Sequence, residues 1–377
     1  MEIRIHTGME EIPAGQWNAL LTRDQPFVRH EFLHALEVHG CVGQVFGWLP
    51  RHVTVSEGGR LVGALPLYEK YNAFGEFVFD HALAQAYGRL GLRYYPKLVC
   101  AVPYTPVCGP RLLARAEDRQ RIYPALLQAA RQLADAVDAS GFHFLFPDAE
   151  AQDWLEGQPL LVRHDCQFHW RNRDYSDFED FLSSLSAKKR KNIRRERRMV
   201  AQAGIRFQRL DGHAATDNDW KAFARFYRDT FETKGNIAPL NQDFFRAVAH
   251  AMPDRVLLVL ARRGDETIAA SLMWRDDETL YGRYWGSTEA VDSLHFETCY
   301  YQGIEYCIEQ GLQVFEPGAQ GEHKIARGFS PVLTRSSHWL RDTPLLGAIR
   351  QYMEREREAV HQYMQALEDR LPYRRAP

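Results

Sequence analysis

The stretch Val256-Leu257-Leu258-Val259-Leu260-Ala261-Arg262-Arg263-Gly264-Asp265-Glu266-Thr267-Ile268-Ala269-Ala270-Ser271-Leu272-Met273-Trp274 reads as two strands around a tight turn. Val256 to Leu260 is a short apolar run, Arg262-Arg263-Gly264-Asp265 interrupts it with turn residues, and Ile268 to Trp274 returns as a second strand. Working outward, a strand near 204–210 and helices near 217–232 and 241–251 precede this hairpin. Trp220, Phe223, Ala224, Tyr227 and Phe231 recur at helical spacing. A strand near 279–286, a helix near 296–310 and strands near 312–317 and 332–340 follow.

The first half repeats that order. A strand near 2–6 leads to helices near 13–21 and 30–39, and then to strands near 44–55, 60–69 and 97–102. Val53 to Val55, the turn Glu57-Gly58-Gly59 and Leu61 to Leu67 make a comparable hairpin. A helix near 118–139 carries Ile122, Leu126, Ala129, Leu133 and Val137 on one stripe, with Gly141 as its expected C-terminal cap. Strands near 142–147 and 161–170 close the half. No short repeat period is present, but strand, two helices, meandering strands, helix, strand, strand occurs twice. The expectation is an α/β protein with mixed sheets and two similar domains, residues 1–172 and 173–343. A C-terminal helix and tail follow over 344–377, with Leu345, Ile349, Met353 and Val360 as the helix's apolar positions.

Composition narrows the function classes. The chain has 377 residues, 45% hydrophobic and 12% aromatic, enough for sizeable cores at about 150 residues per domain. Its formal net charge of −2 excludes whole-molecule electrostatic attraction to nucleic acid or membrane. No window approaches the roughly 18 apolar residues of a spanning helix, and Met1-Glu2-Ile3-Arg4-Ile5-His6 lacks a signal-peptide pattern. The six cysteines contain no CxxC pair, so a reducing compartment and a cytoplasmic location are expected.

Between the halves lies an expected helix over 176–203. Ser176 with Glu179 looks like a capping box, and Phe178, Phe181, Leu182 and Leu185 form an apolar stripe. Eight of the eleven residues from Lys188 to Arg198 are Lys or Arg. Like charges on neighbouring turns repel by about 0.2–0.5 kcal/mol per pair. Such a run becomes favourable beside phosphates, or it is a solvated face paired with the protein's own acids. Ile193 and Val200 anchor one side and present the rest, including Lys189, Arg190 and Arg194.

A second constellation runs from Gly286 to Gly328. It holds His295-Phe296-Glu297, then Glu316-Pro317-Gly318-Ala319-Gln320-Gly321-Glu322-His323-Lys324, then Arg327-Gly328-Phe329. Polar residues crowd a glycine-rich turn just after a strand, where open α/β sheets place ligands. Glu297, Glu316 or His323 is placed to accept a proton from an attacking amine. Lys324 and Arg327 suit a phosphate or an oxyanion. The same residues could instead be loop hydrogen-bond partners. His295, Glu297, His323 and His338 match no metal-ligand spacing. Cys299 and Cys307 read as core, and Ser336-Ser337-His338 lacks the GxSxG elbow. Tyr281, Tyr284, Trp285, Tyr300 and Tyr301 suit either a cleft or a core. The stiff loop Val102-Pro103-Tyr104-Thr105-Pro106-Val107-Cys108-Gly109-Pro110 is a pocket wall or a crossover.

These stretches together resemble the FemAB-like predicted N-acyltransferases, built on a duplicated GNAT (acyl-CoA N-acyltransferase) fold. The basic helix, His295-Phe296-Glu297, Phe315 to Lys324, Arg327-Gly328-Phe329-Ser330-Pro331 with His338-Trp339, and the Pro103–Pro110 loop carry the likeness over most of the chain. The resemblance implies two GNAT-like domains in tandem and transfer of an acyl or aminoacyl group to an amine, the acceptor being a cell-envelope precursor such as one for peptidoglycan. It implies acyl-CoA or aminoacyl-tRNA as donor, tRNA as a partner, and no tightly bound cofactor. The polar constellation itself places catalysis at Glu297, His323, Glu316 and Lys324. Binding falls to Arg327, His295, Gln320, Tyr284, Trp285, Tyr104, Lys189, Arg190 and Arg194. The linker Ser287 to Leu294 has no glycine and two acids, unlike the pyrophosphate turn of GNAT relatives. The other reading is a non-catalytic module for nucleic acid or anionic envelope precursors.

Overall fold

The computed structural model describes residues 1–319, 321–341 and 343–374. Its contacts form two compact units. Unit 1 comprises Met1–Asp165 and Leu333–His361, and unit 2 comprises Cys166–Val332 and Gln362–Pro377. The division is therefore interleaved, not a single cut near residue 172, because the strand and helix after residue 332 find their partners among earlier residues.

In unit 1, β1 (Glu2–His6) precedes α1 (Ala14–Asn18) and α2 (His30–Val38). Strands β2 (Trp48–Pro50), β3 (His52–Glu57), β4 (Arg60–Leu65) and β5 (Leu67–Lys70) follow, then α3 (His81–Arg89), β6 (Lys97–Cys100) and β7 (Leu113–Ala114). Helix α4 (Arg119–Ala136), β8 (Gly141–Leu145), α5 (Ala149–Glu156) and the start of β9 (Leu161–Arg171) complete the first pass. Strands β1, β3, β4 and β7 form an antiparallel sheet. In a second sheet β5 is antiparallel to β6, and β6 is parallel to β8. Helix α4 is the crossover that a parallel pair requires. It buries Ile122, Leu126, Ala129 and Leu133 against Leu98, Phe142 and Phe144.

Unit 2 contains α6 (Phe178–Ser184), α7 (Ala187–Gln202), β10 (Ile205–Leu210), α8 (Asp217–Glu232) and α9 (Gln242–Ala251). Strands β11 (Val256–Arg263), β12 (Glu266–Arg275) and β13 (Thr279–Ser287) come next. A continuous helical segment then runs as α10 (Leu294–Phe296), a π-turn (Glu297–Tyr301) and α11 (Gln302–Gln310), before β14 (Val314–Glu316). Strands β10 to β13 are antiparallel neighbours, and β13 is parallel to β14. Each unit thus has one parallel pair spanned by a helix, and the mixed α/β, doubled architecture is the expected one. Leu257, Val259, Met273, Leu280, Tyr300, Ile304 and Phe315 fill this core. Strand β15 (Ser330–Leu340) pairs with β8 through its unit 1 residues. Helix α12 (Leu346–Glu368) buries Ile349 and Met353 in unit 1, while Leu367 lies in the unit 2 core.

Several local expectations change. The 176–203 helix is two helices, because Leu185 is extended (ψ 158°) between α6 and α7. Asp177, not Ser176, is the N-cap of α6, and its carboxylate accepts from Asp180 N at 2.7 Å. Gly141 is not a helix cap. It opens β8, where a Cβ would lie 2.3 Å from the Trp339 carbonyl oxygen, so the strands approach too closely for a side chain. Helices α3 and α5 had no predicted counterpart. Among the described residues, no helix is long and apolar enough to cross a membrane.

Candidate active site

The site in unit 2 is built on two adjoining helical turns. Leu294 to Gln310 widens at Glu297–Tyr301 into a π-turn, a distortion frequent at functional positions. The Ser271 hydroxyl donates to the Thr298 carbonyl at 3.0 Å, so this irregular backbone is supported from β12. After β14, Glu322–Arg327 forms a short 3₁₀ helix. Gly321 begins it at φ 114°, and the His323 ring occupies the space where a Gly321 side chain would stand.

His323, Lys324 and Arg327 share this short helix but face different neighbours. The His323 ring is exposed, and its Nε2 lies 2.9 Å from the Tyr300 hydroxyl. It lines a cavity of about 410 Å³ with Lys189, Glu322, Ile325, Ala326 and Arg370. Partial burial and the cations Lys324 and Arg327 push its pKa down, so the ring is neutral at neutral pH. His295 stacks edge-on against Trp285 and Tyr300, with its ring centre 6.3 Å from that of His323. Burial and His323 pull its pKa to about 4.

Arg327 is a buried hub. Its guanidinium lies 3.3 Å from the centre of the Phe296 ring and donates to Tyr301 Oη at 3.1 Å and to the His323 carbonyl at 2.8 Å. It also meets Glu196 Oε1 at 2.8 Å, and Tyr301 Oη donates to the same carboxylate. All these partners are spoken for within the protein, so Arg327 braces the His323 backbone. It does not project a free cation.

The expected bases separate. Glu297 is buried, with Oε2 3.2 Å from Arg197 Nε and Oε1 accepting from Gln302 Nε2 at 2.8 Å. Burial raises its pKa while Arg197 opposes that shift. Glu316, at the end of β14, lies 3.6 Å from Arg283 Nη2 and 4.0 Å from His169 Nδ1. Lys324 is buried nearby and donates to the Gly318 carbonyl at 2.6 Å. Burial and the neighbouring Arg283 bring its pKa down to about 7. Of the three base candidates, His323 is the one that lines the cavity.

Other expected residues take distinct places. Tyr284 packs in an aromatic group with Tyr227, Phe245 and Trp274, while Trp285 touches His295. Arg194 pairs with Glu179 on the surface. Lys189 reaches the cavity, and Arg190 is half-buried on the same helix. Tyr104 belongs to unit 1, where its hydroxyl donates to the Cys41 carbonyl at 2.8 Å among Phe46, Trp48 and Phe74. That makes it a structural element of its loop. Gln320 lies outside the described residues.

The sequence reading counted Arg197 among the presented cations of the basic helix and passed over Glu196, and the structure gives both a different role. Glu196 and Arg197 turn the inner face of α7 into part of the site, through Arg327 and Tyr301 on one side and through Glu297 and Glu305 on the other. The available signal was Glu196 as a lone acid inside the basic run. Outside that inner face, Lys188, Lys191, Arg195 and Arg198 are exposed, and among the described residues they make no ion pair.

The fold recurs in solved structures. FemX superposes with a TM-score of 0.53 at 13% identity, covering 93% of this chain and 100% of FemX. The C-terminal domain of a putative lysylphosphatidylglycerol synthetase from Agrobacterium fabrum gives a TM-score of 0.55 at 9% identity, covering 92% and 96%. A conserved protein of unknown function from Bacteroides thetaiotaomicron gives 0.53 at 11%, covering 90% and 100%. At these identities the likeness concerns the fold. No curated protein matches the chain by sequence. A family profile described as peptidoglycan biosynthesis/recognition matches residues 8–375, and the chain therefore belongs to the FemAB-like family.

Proposed function

We propose that this protein is an N-acyltransferase acting in the cytoplasm, moving an acyl or aminoacyl group from an activated donor to the amine of a cell-envelope precursor. The donor is acyl-CoA or an aminoacyl-tRNA, and no tightly bound cofactor takes part. Family membership supports the reaction class. The single observation that carries the site is His323, exposed on a cavity that the basic helix also borders and held by the Tyr300 hydroxyl.

In this reading the amine nitrogen attacks the donor carbonyl. Its proton passes to His323 Nδ1 while Nε2–H donates to Tyr300, whose own proton is held by burial. Lys324, buried and bonded to the Gly318 carbonyl, orders the turn that leads into the short helix rather than facing the cavity. Arg327, Glu196 and Tyr301 hold the His323 backbone in place. Glu297 and Glu316 then serve as buried counterions, not bases. Lys189, Arg190 and the exposed cations of α7 grip donor or acceptor phosphates.

The test is turnover of defined acyl-CoA and aminoacyl-tRNA donors with amine-bearing envelope precursors. His323→Ala should abolish turnover and spare donor binding. If turnover survives His323→Ala combined with Glu297→Ala, the assignment fails. Donor binding with no turnover in the wild-type protein would favour the binding-module reading.

A further inference from the structure

Unit 1 contains a second built constellation, independent of the site around His323. Thr334, Ser336 and His338 alternate along β15, so their side chains share one face of the strand. His143 on β8 is the cross-strand partner of His338. Ser336 Oγ lies 2.8 Å from His338 Nε2, and His338 Nδ1 lies 2.7 Å from His143 Nδ1. Thr334, Ser336, His338 and His143 are each no more than 4% exposed.

A cavity of about 240 Å³ reaches this row. Thr334 and Ser336 line it with apolar Val78, Phe79, Phe146 and Val360. The Thr334 hydroxyl is buried, and among the described residues it has no hydrogen-bond partner. An unpartnered buried hydroxyl costs about 1–3 kcal/mol. It stands two residues from a serine already bonded to an imidazole, on the same face. Phe146 lines the cavity at φ 53°, a strained conformation for an aromatic residue. At the rim, Arg163 is held by both Glu356 oxygens at 2.7 and 2.6 Å and donates to the Phe79 carbonyl at 3.0 Å. Arg335 is paired with Asp153 and Glu156. The rim cations are thus occupied, and the chamber suits a small uncharged group with an apolar end and a carbonyl oxygen.

We infer that Ser336 is a nucleophile that accepts a short acyl group from an activated ester or thioester. Nucleophile, base and base-orienting group stand in hydrogen-bonded sequence, which is the arrangement such chemistry requires. Ser336 Oγ attacks the acyl carbonyl carbon, and a new C–O bond forms. The Oγ proton moves to His338 Nε2, which needs the tautomer whose Nδ1–H donates to His143 Nδ1. The bond from the acyl carbon to the leaving oxygen or sulfur then breaks, and the proton passes from Nε2 to that leaving atom. An acyl-serine ester and a free alcohol or thiol result, with no redox partner needed. Thr334 donates to the carbonyl oxygen as its charge develops. Burial lowers the pKa of both imidazoles, so His338 rests unprotonated and holds the Ser336 proton only in passing, before it moves on to the leaving atom.

The experiment uses the full chain and p-nitrophenyl acetate as probe. Intact-mass spectrometry after an acid quench should show one added acetyl group, and peptide mapping should place it on Ser336. Ser336→Ala should remove it. His338→Gln should slow acetylation about 100-fold or more, and the isosteric Thr334→Val about 100-fold. Ser337→Ala, on the opposite face and bonded to Gln152, should leave the rate unchanged. Acetylation that maps only to other residues, or none at all, overturns the proposal. Because the site is mapped in the wild-type chain, the result stands even if a variant fails to fold.

Discussion

Replacing Gly321 by alanine would displace the His323 ring without removing any titratable group. An ideal Cβ at Gly321 would lie 2.3 Å from His323 Cε1 and 2.8 Å from Nδ1, well inside van der Waals contact. The backbone there has φ 114°, a region that costs a non-glycine residue about 1–3 kcal/mol. Moving the ring also breaks its bond to Tyr300, worth about 0.5–1.5 kcal/mol. The stability loss should therefore be about 1.5–4.5 kcal/mol. A displacement of about 1 Å at a reacting group lowers turnover roughly 100-fold. Gly264→Ala is the matched control: its φ is 58° and nothing lies within 4 Å of the added carbon. It pays about 1–2 kcal/mol of backbone strain and moves no ring. The assay is kcat for any donor that supports turnover, with urea unfolding of both variants. Imidazole NMR of His323 reports independently on the lost Tyr300 bond. Wild-type kcat in Gly321→Ala, with the His323–Tyr300 bond visibly broken, would refute the role given to that ring.

Removing Arg197 strands the buried Glu297 carboxylate. Arg197→Ala should cost about 3 kcal/mol in urea unfolding, the low end for a broken buried pair because its side chain is 28% exposed. Adding Glu297→Gln should restore part of the loss; no recovery would mean that the pair is not the source. His143 and His338 are held neutral chiefly by burial, with Lys97 and Arg163 adding to the effect. Unfolded imidazoles near pKa 6.5 bind protons that the folded ones refuse, so stability is full above pH 6.5 and falls as the pH drops toward the lowered folded values. The expected slope is about 1.4 kcal/mol per pH unit for each histidine, and a flat profile between pH 6.5 and 5.5 would contradict their neutral burial. If α7 grips a polynucleotide, each alanine substitution at Lys188, Lys191, Arg195 or Arg198 should lower the slope of log K against log salt by about 0.9. A filter-binding series checks this, and an unchanged slope removes the helix from the interface.

The doubled order of elements was legible because it rests on local periodicity. The apolar runs around Gly264 and the stripe from Ile122 to Leu133 need no knowledge of distant chain. Helices α3 and α5 were not legible, since α3 buries little beyond Leu83 and Tyr87 and shows too thin a stripe. The break at Leu185 depends on one residue's ψ, and the continuous apolar pattern across it conceals the change. In the site, His323, Lys324 and Arg327 could be grouped in advance because they share one short helix. Their division of labour could not: Lys324 turns inward to the Gly318 carbonyl, Arg327 braces Glu196, and His323 alone of the three is exposed.

Spacing along the chain therefore determined the mixed α/β class, the repeat, and the polar turn after β14, because helix and strand periods and turn chemistry act over a few residues. Only the folded structure decided that Glu297 answers to Arg197, that Ser336 meets His338 and His143, and that residues 333–361 rejoin unit 1. Those outcomes depend on cross-strand register, a π-turn and burial. Arg197 and Glu297 are brought together from 100 residues apart and His143 and His338 from 195, and no local pattern records such meetings.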